Sequence, residues 1–201
     1  PALIGAQPER RYGARTIPAG GSTVFYQGAG GGHGLPDPFV GSALVEATGG
    51  PVVAIVNDAF ELGRQSAAYV AQPPDAAANA LLVPSVHHLF GPWKLNTGIQ
   101  VANLGDEPAH IRARFFDSNG FALPACAGCD LVIDGGATHA LVMGAGGLFP
   151  MGTNSFGYAR IASDVPVLAV VNAYSANGTM DASAGHALPC AGIGPTRVAL
   201  P

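Results

Sequence analysis

Two stretches decide how this chain is read: Phe39–Asn57, FVGSALVEATGGPVVAIVN, and Phe156–Asn172, FGYARIASDVPVLAVVN. Gly41 aligns with Gly157, Ala43 with Ala159, Pro51 with Pro166 and Asn57 with Asn172, and the apolar run PVVAIVN returns as PVLAVVN. Self-similarity at a fixed spacing sets the architecture before any local assignment, because each copy is then expected to be one structural unit. The similarity extends outward. Ile17–Phe25 (IPAGGSTVF) resembles Ile133–Leu141 (IDGGATHAL) with one gap, the Gly-rich runs GAGGGHGLPDP and GAGGLFPMGTN follow, and LLVP ending at Pro84 resembles VALP ending at Pro201. The period is roughly 115 residues, too long for a solenoid unit and suited to a β-sandwich domain. Two modules are expected in tandem, residues 1–84 and 85–201, and the first has no counterpart of Trp93–Ser118, so it lacks its opening strands.

Local patterns agree with an all-β chain. Thr97–Leu104 (TGIQVANL) and His110–Asp117 (HIRARFFD) alternate with period two, which puts Ile111, Ala113 and Phe115 on one face and Arg112 and Arg114 on the other. Asp117-Ser118-Asn119-Gly120 reads as a turn, with Gly120 free to take positive φ. Further strands are predicted near 131–133, 138–143, 157–162, 165–173 and 197–200, while Ala76–Leu82 reads as either a short helix or a strand. The runs 52–56 and 167–171 are almost continuously Val, Ile and Leu, which predicts buried, equivalent strands covered on both faces.

Composition narrows the function classes. Charged residues are 11% of the chain, net charge is −4, and Lys94 is the sole lysine among nine basic residues. Nothing here forms the basic stripe that neutralises phosphates, so neither nucleic acid nor an anionic membrane surface is an expected partner. No apolar run is long enough to span a bilayer, and no basic stretch followed by an apolar one opens the numbered chain at Pro1. The 29 Gly and 17 Pro fall between apolar runs, as turns do in a chain of many short strands.

The string Trp93-x-x-Asn96-Thr97-Gly98-Ile99-x-Val101-x-Asn103-Leu104-Gly105, followed by Phe115-Phe116-Asp117-x-Asn119-Gly120, resembles a repeat module of bacterial secreted and cell-surface proteins of the Chloroflexota type. Gly135-Gly136, Phe156-Gly157-x-Ala159 and Pro166-Val167-x-Ala169-Val170-Val171-Asn172 fit the same module, and the resemblance covers most of residues 91–175 and about 16–60. It implies an immunoglobulin-like antiparallel sandwich and an extracellular or cell-surface setting, and it brings no catalytic residue with it.

Each candidate for chemistry has a plainer structural reading. Cys126-Ala127-Gly128-Cys129 has the spacing of a redox motif or half a zinc site, but a zinc site needs a second ligand pair at short spacing, and a redox motif needs a βαβ setting. A disulfide is expected instead, joining Cys126 to Cys129 or one of them to Cys190, with one thiol left over. His87 and His88 are adjacent and would point to opposite faces of a strand. The Gly28–Gly34 run lacks the Gly-Lys-Ser/Thr ending of a phosphate loop, and Asp117-x-Asn119-Gly120 lacks the later Glu of a calcium loop. No acid, base and nucleophile can be assembled, so no enzymatic role, cofactor or metal is expected. The expected function is a structural subunit of an extracellular filament, sheath or surface layer, self-assembling by strand donation, with Arg197, Val198, Ala199 and Leu200 as the donated strand. The competing expectation is an adhesin or carbohydrate-binding surface module, with a surface polysaccharide as partner, and exposed aromatics lining one sheet face would favour it.

Overall fold

The computed structural model describes residues 12–27, 41–60, 65–126, 128–142, 151–176 and 183–190. All regular structure among them is strand apart from one short 3₁₀ turn, Pro74–Ala76, and every strand pairing is antiparallel. No helix there is long and apolar enough to cross a membrane.

Compactness separates residues 2–41 from 42–201. In the larger unit β1 (Ile55–Phe60) and β2 (Gln65–Val70) form a two-stranded hairpin. The remaining strands are β3 (Ala78–His88), β4 (Leu95–Ala102), β5 (Ala109–Asp117), β6 (Asp130–Ile133), β7 (Thr138–Val142), β8 (Ser155–Ser175), β9 (Ser183–His186) and β10 (Leu188–Pro189). All of them are organised around β8, which is 21 residues long. Its first half, to Ser163, runs between β3 and β5, while its second half, from Leu168, pairs with β4 and, over Val170–Ala173, with β9 on the other edge. Pro166 lies where the neighbours change; a residue without an N–H is tolerated there because no ladder bond is asked of it. The sequence reading placed two strands here, and the structure joins them into one. β6, β7 and β10 extend the sheet from β5, β4 and β3.

The alternation read from the sequence produces the core. Ala109, Ile111, Ala113 and Phe115 of β5 are buried, as are Ile99 and Val101 of β4, and they join Leu81, Val83, Val86, Ile133, Leu141, Ala159, Ile161, Val167 and Ala169 in one cluster. Burying each Val, Leu or Ile in it contributes roughly 1.5–3 kcal/mol. Ala76–Leu82, open between helix and strand, resolves into the end of the 3₁₀ turn and the start of β3. β3 crosses position 84, where the sequence placed the module boundary, and Pro84 sits inside a register shift between Val83 and Val86.

The first copy departs from expectation. Residues 43–53 form no ladder, and Val52, Val53 and Ile55 are exposed, so the buried strand predicted at 52–56 is not found there. In the second copy Val167, opposite Ala78 of β3, is 0% exposed within the core cluster. The sequence before Pro84 has no counterpart of Trp93–Ser118, which includes β4 and β5, and among the described residues nothing covers its apolar run. Where partners do exist, local geometry matches. Asn57 lies opposite Ala68 as Asn172 lies opposite Ala184, and the bond from Ala71 N–H to Ala54 C=O has its counterpart from Ala187 to Ala169.

In the smaller unit, Gly21 N–H donates to Pro18 C=O at 2.8 Å with Gly20 at φ 73°. The turn at Asp134–Ala137 has the same form, with Gly136 at φ 70°, so IPAGGSTVF and IDGGATHAL correspond without the gap that the sequence comparison allowed. Arg15 closes the loop by donating to Val24 C=O at 2.7 Å and packing over the Phe25 ring.

Candidate functional site: an unpaired strand edge and an outward aromatic face

Two surfaces of the larger unit stand out. The first is the run Ser42–Ala54, two short stretches outside any ladder, 42–47 and 51–54, on either side of a bend at 48–50 in which Gly49 has φ 92°. Its apolar side chains face solvent, Leu44 being 67% and Val53 79% exposed, with Val45 and Val52 about half exposed. Within the described structure the backbone of residues 43–53 has no hydrogen-bonded partner; Ser42 receives a bond from the Thr138 hydroxyl, and Ala54 C=O accepts from Ala71 N–H. β1, which follows directly, carries β2 on one edge and, among the described residues, no strand on the other. Each short apolar stretch, with backbone N–H and C=O groups that no described residue pairs, is a template for an added strand.

The second surface is the outward face of β5 and β8. Register puts Arg114 opposite Arg160 and Phe116 opposite Tyr158. The two rings stack at 4.7 Å and 4° between planes, and the Arg160 guanidinium lies 5.3 Å from the Phe116 centroid. Asp130 on β6 is shared by Arg112 at 3.4 Å and Arg114 at 3.2 Å, which leaves Arg160 without a carboxylate among the described residues. Like charges directly opposite on neighbouring strands oppose sheet pairing; here the ring stack and the shared carboxylate offset that. A shallow depression of about 470 Å³ adjoins this face beside Arg112 and Asp130. The sequence reading put Arg112 and Arg114 outward but missed the face, because its other half comes from β8, and no local signal states that β5 and β8 are neighbours.

The remaining candidates take structural places. Cys126 and Cys129 form a disulfide, while Cys190 is free and half-buried on an element bonded to β3. The disulfide loop is tied down by Ala113 N–H donating to Cys129 C=O at 2.7 Å. His88 Nδ1 lies 2.8 Å from Met151 C=O and donates to it. His87 stacks on Phe90, and burial lowers its pKa; burial lowers that of His139 as well. Among the described residues no three His, Cys, Asp or Glu side chains come together as metal ligands would. Trp93 is half-exposed in the β3–β4 turn, and its C=O accepts the Ser175 hydroxyl at 2.7 Å. Arg197, Val198, Ala199 and Leu200 lie outside the described residues.

The polar residues of the Trp93–Gly105 string hold loops. Asn96 Oδ1 accepts Leu89 N–H and Thr97 Oγ1 accepts His87 N–H, both at 2.9 Å, which fastens a turn in which Leu89 and Lys94 have positive φ. Asn103, 1% exposed, donates through Nδ2 to the carbonyls of Glu107, Ile133 and Asp134 and accepts Gly105 N–H through Oδ1.

No family model and no curated protein matches the chain. Among solved structures it is similar to Thermotoga maritima 1070, with a TM-score of 0.44 and 15% identity over 56% of this chain and 95% of that one. It is also similar to the Anabaena sensory rhodopsin transducer, with a TM-score of 0.36 and 18% identity over 46% of this chain and 92% of that one.

Proposed function

We propose that this chain is a non-enzymatic structural subunit of an extracellular filament, sheath or surface layer, and that subunits join by adding β-strands to one another. The observation that carries the reading is that the exposed apolar stretches 43–47 and 51–53 have no backbone partner among the described residues. Leaving such surface in water forgoes roughly 25 cal/mol per Å², and its free backbone groups accept a strand of any chain with matching side-chain parity. Two features support the reading further: the matching turns and hairpin registers of the two similar stretches, and a disulfide suited to an oxidising compartment. The test is particle mass against concentration by light scattering, with electron microscopy of the same samples. Wild type should form elongated particles that grow with concentration, and the double variant Leu44→Asp, Val53→Asp should stay monomeric with an unchanged circular dichroism spectrum. A wild-type chain that remains monomeric at millimolar concentration refutes the proposal.

The stacked Phe116–Tyr158 pair under Arg160 favours a second reading, a binding module for a surface polysaccharide, since aromatic rings on a sheet face are what a sugar ring packs against. Glycan binding lost in Tyr158→Ser and kept in Leu44→Asp, Val53→Asp would support this reading over the first.

A further inference from the structure

The outward aromatic pair belongs to a longer line of side chains. Phe156, Tyr158 and Arg160 share one face of β8, since Gly157, Ala159 and Ile161 between and after them are buried on the other. Phe156 is 45% exposed, and the Phe90 ring packs against it at 4.9 Å. His87 of β3, opposite Phe156 in register, stacks on the same Phe90. The stacked Tyr158–Phe116 pair comes next along the strand, and Arg160 follows. From Phe156 to Arg160 the line covers about 13 Å, four steps of a strand. Rings spread over that distance suit successive units of a polymer better than one small molecule.

Arg160 is exposed, and its neighbours leave its charge uncompensated. Its register partners are Leu82 on β3 and Arg114 on β5. Arg114 and Arg112 both use Asp130, at 3.2 and 3.4 Å, and no carboxylate among the described residues reaches Arg160. The Phe116 and Tyr158 rings, centred 5.3 and 6.0 Å from its guanidinium carbon, hold the fork in place without neutralising it. A planar, positioned guanidinium of this kind matches a carboxylate through two parallel hydrogen bonds.

We infer that this line takes an acidic polysaccharide, a sugar chain that carries carboxylates at intervals. The apolar faces of its sugar rings pack on Phe156, Tyr158 and Phe116, and one carboxylate meets Arg160. The inference rests on the glycan-binding reading above and gives it a chemical class and a path along β8. Single-stranded nucleic acid also uses rings and arginine, but it brings a phosphate with every unit. Here Asp130 and Asp164 line the depression at the Ala162 end of the face, where they accept bonds from sugar hydroxyls and repel phosphates. The net charge of −4 acts in the same sense.

Calorimetric titration of the full chain tests this with hyaluronate and half-esterified polygalacturonate, each beside its fully methyl-esterified form, and with poly(U). The acidic forms should bind roughly tenfold more tightly than the esters, the worth of one charged hydrogen-bonded contact. Arg160→Gln should abolish that difference and leave ester affinity unchanged, which also shows that the variant is folded. Phe156→Ser should weaken both forms, with an unchanged circular dichroism spectrum. Equal affinity for acid and ester, lost in Tyr158→Ser, overturns the acidic class and leaves the glycan reading standing. A preference for acid that survives Arg160→Gln overturns the role of Arg160, and full affinity in Phe156→Ser overturns the path along β8. Tightest binding to poly(U) overturns the inference in favour of nucleic acid. Binding to none of these polymers overturns the inference and the glycan reading together.

Discussion

Replacing Asn103 should cost this protein a large part of its stability. The side chain is 1% exposed at the end of β4. Its Nδ2 group has two hydrogens and lies 2.7 Å from Glu107 C=O, 3.1 Å from Ile133 C=O and 3.3 Å from Asp134 C=O, while Oδ1 accepts Gly105 N–H at 3.0 Å. That amounts to three effective bonds, one N–H being shared between two carbonyls, and together they fix the β4–β5 connection against the end of β6. A net contribution of ~1 kcal/mol per bond puts Asn103→Ala at about 3 kcal/mol. With a urea slope of ~2 kcal/mol/M the unfolding midpoint should fall by about 1.5 M. Asn103→Asp separates hydrogen bonding from mere size. It keeps the acceptor for Gly105 but sets a carboxylate against three carbonyl oxygens, which raises the folded-state pKa of the new group above its unfolded value. The variant should therefore be less stable than Asn103→Ala at pH 7 and should recover as pH falls through that raised pKa, since the protonated acid donates again. Urea titrations followed by circular dichroism at pH 4 and pH 7 measure both effects. An Asn103→Asp protein as stable as wild type at pH 7 would refute this account of the connection.

Gly157→Ala should destabilise by roughly 2–3 kcal/mol, because its Cβ would lie 1.9 Å from Phe116 C=O and backbone cannot rotate away; Gly152→Ala, with nothing within 4 Å, serves as the silent control in thermal melts. Cys126→Ser should lower stability by about 2 kcal/mol, the loop-closure entropy of a four-residue ring, and reductant should produce the same loss in wild type but none in the variant. His87 and His139 have folded-state pKa values held below the ordinary value by burial, so the unfolded chain binds protons first as pH drops. Stability should fall as pH is lowered from about 7.5 through 6.5 and beyond, and His87→Gln should flatten that slope in a denaturation series; an unchanged slope would show that His87 is not one of its sources.

Much of the second copy was legible in the sequence because its information is local. HIRARFFD carries its own inside and outside, and β5 buries Ala109, Ile111, Ala113 and Phe115 as that alternation requires. Gly120, in the turn after β5, has the positive φ its position asks for. What escaped was non-local. The Ser163–Asp164 step looks like a break, yet β8 continues through it because its two halves have different neighbours. β3 looked ambiguous because AAANALL has no clean period, and its partner lies some 80 residues downstream. The run at 52–56 was read as buried from its apolar content, which is a statement about what those side chains need and not about whether this chain supplies it. The aromatic face was invisible for a similar reason: Phe116 and Tyr158 become a pair only through the register of β5 on β8.

The length of β8 also governs how the polypeptide can fold as it is made. β3, β4 and β5 all take their main partner from residues 155–175, so Leu81 waits for Ile161 and Leu95 for Ser175. Until that stretch has left the ribosome, three apolar strands exist with no central strand to hold them, and the loops to be closed are long. Folding should then be abrupt, triggered by the arrival of one segment, and the interval before it is when the nascent chain most needs a holding chaperone.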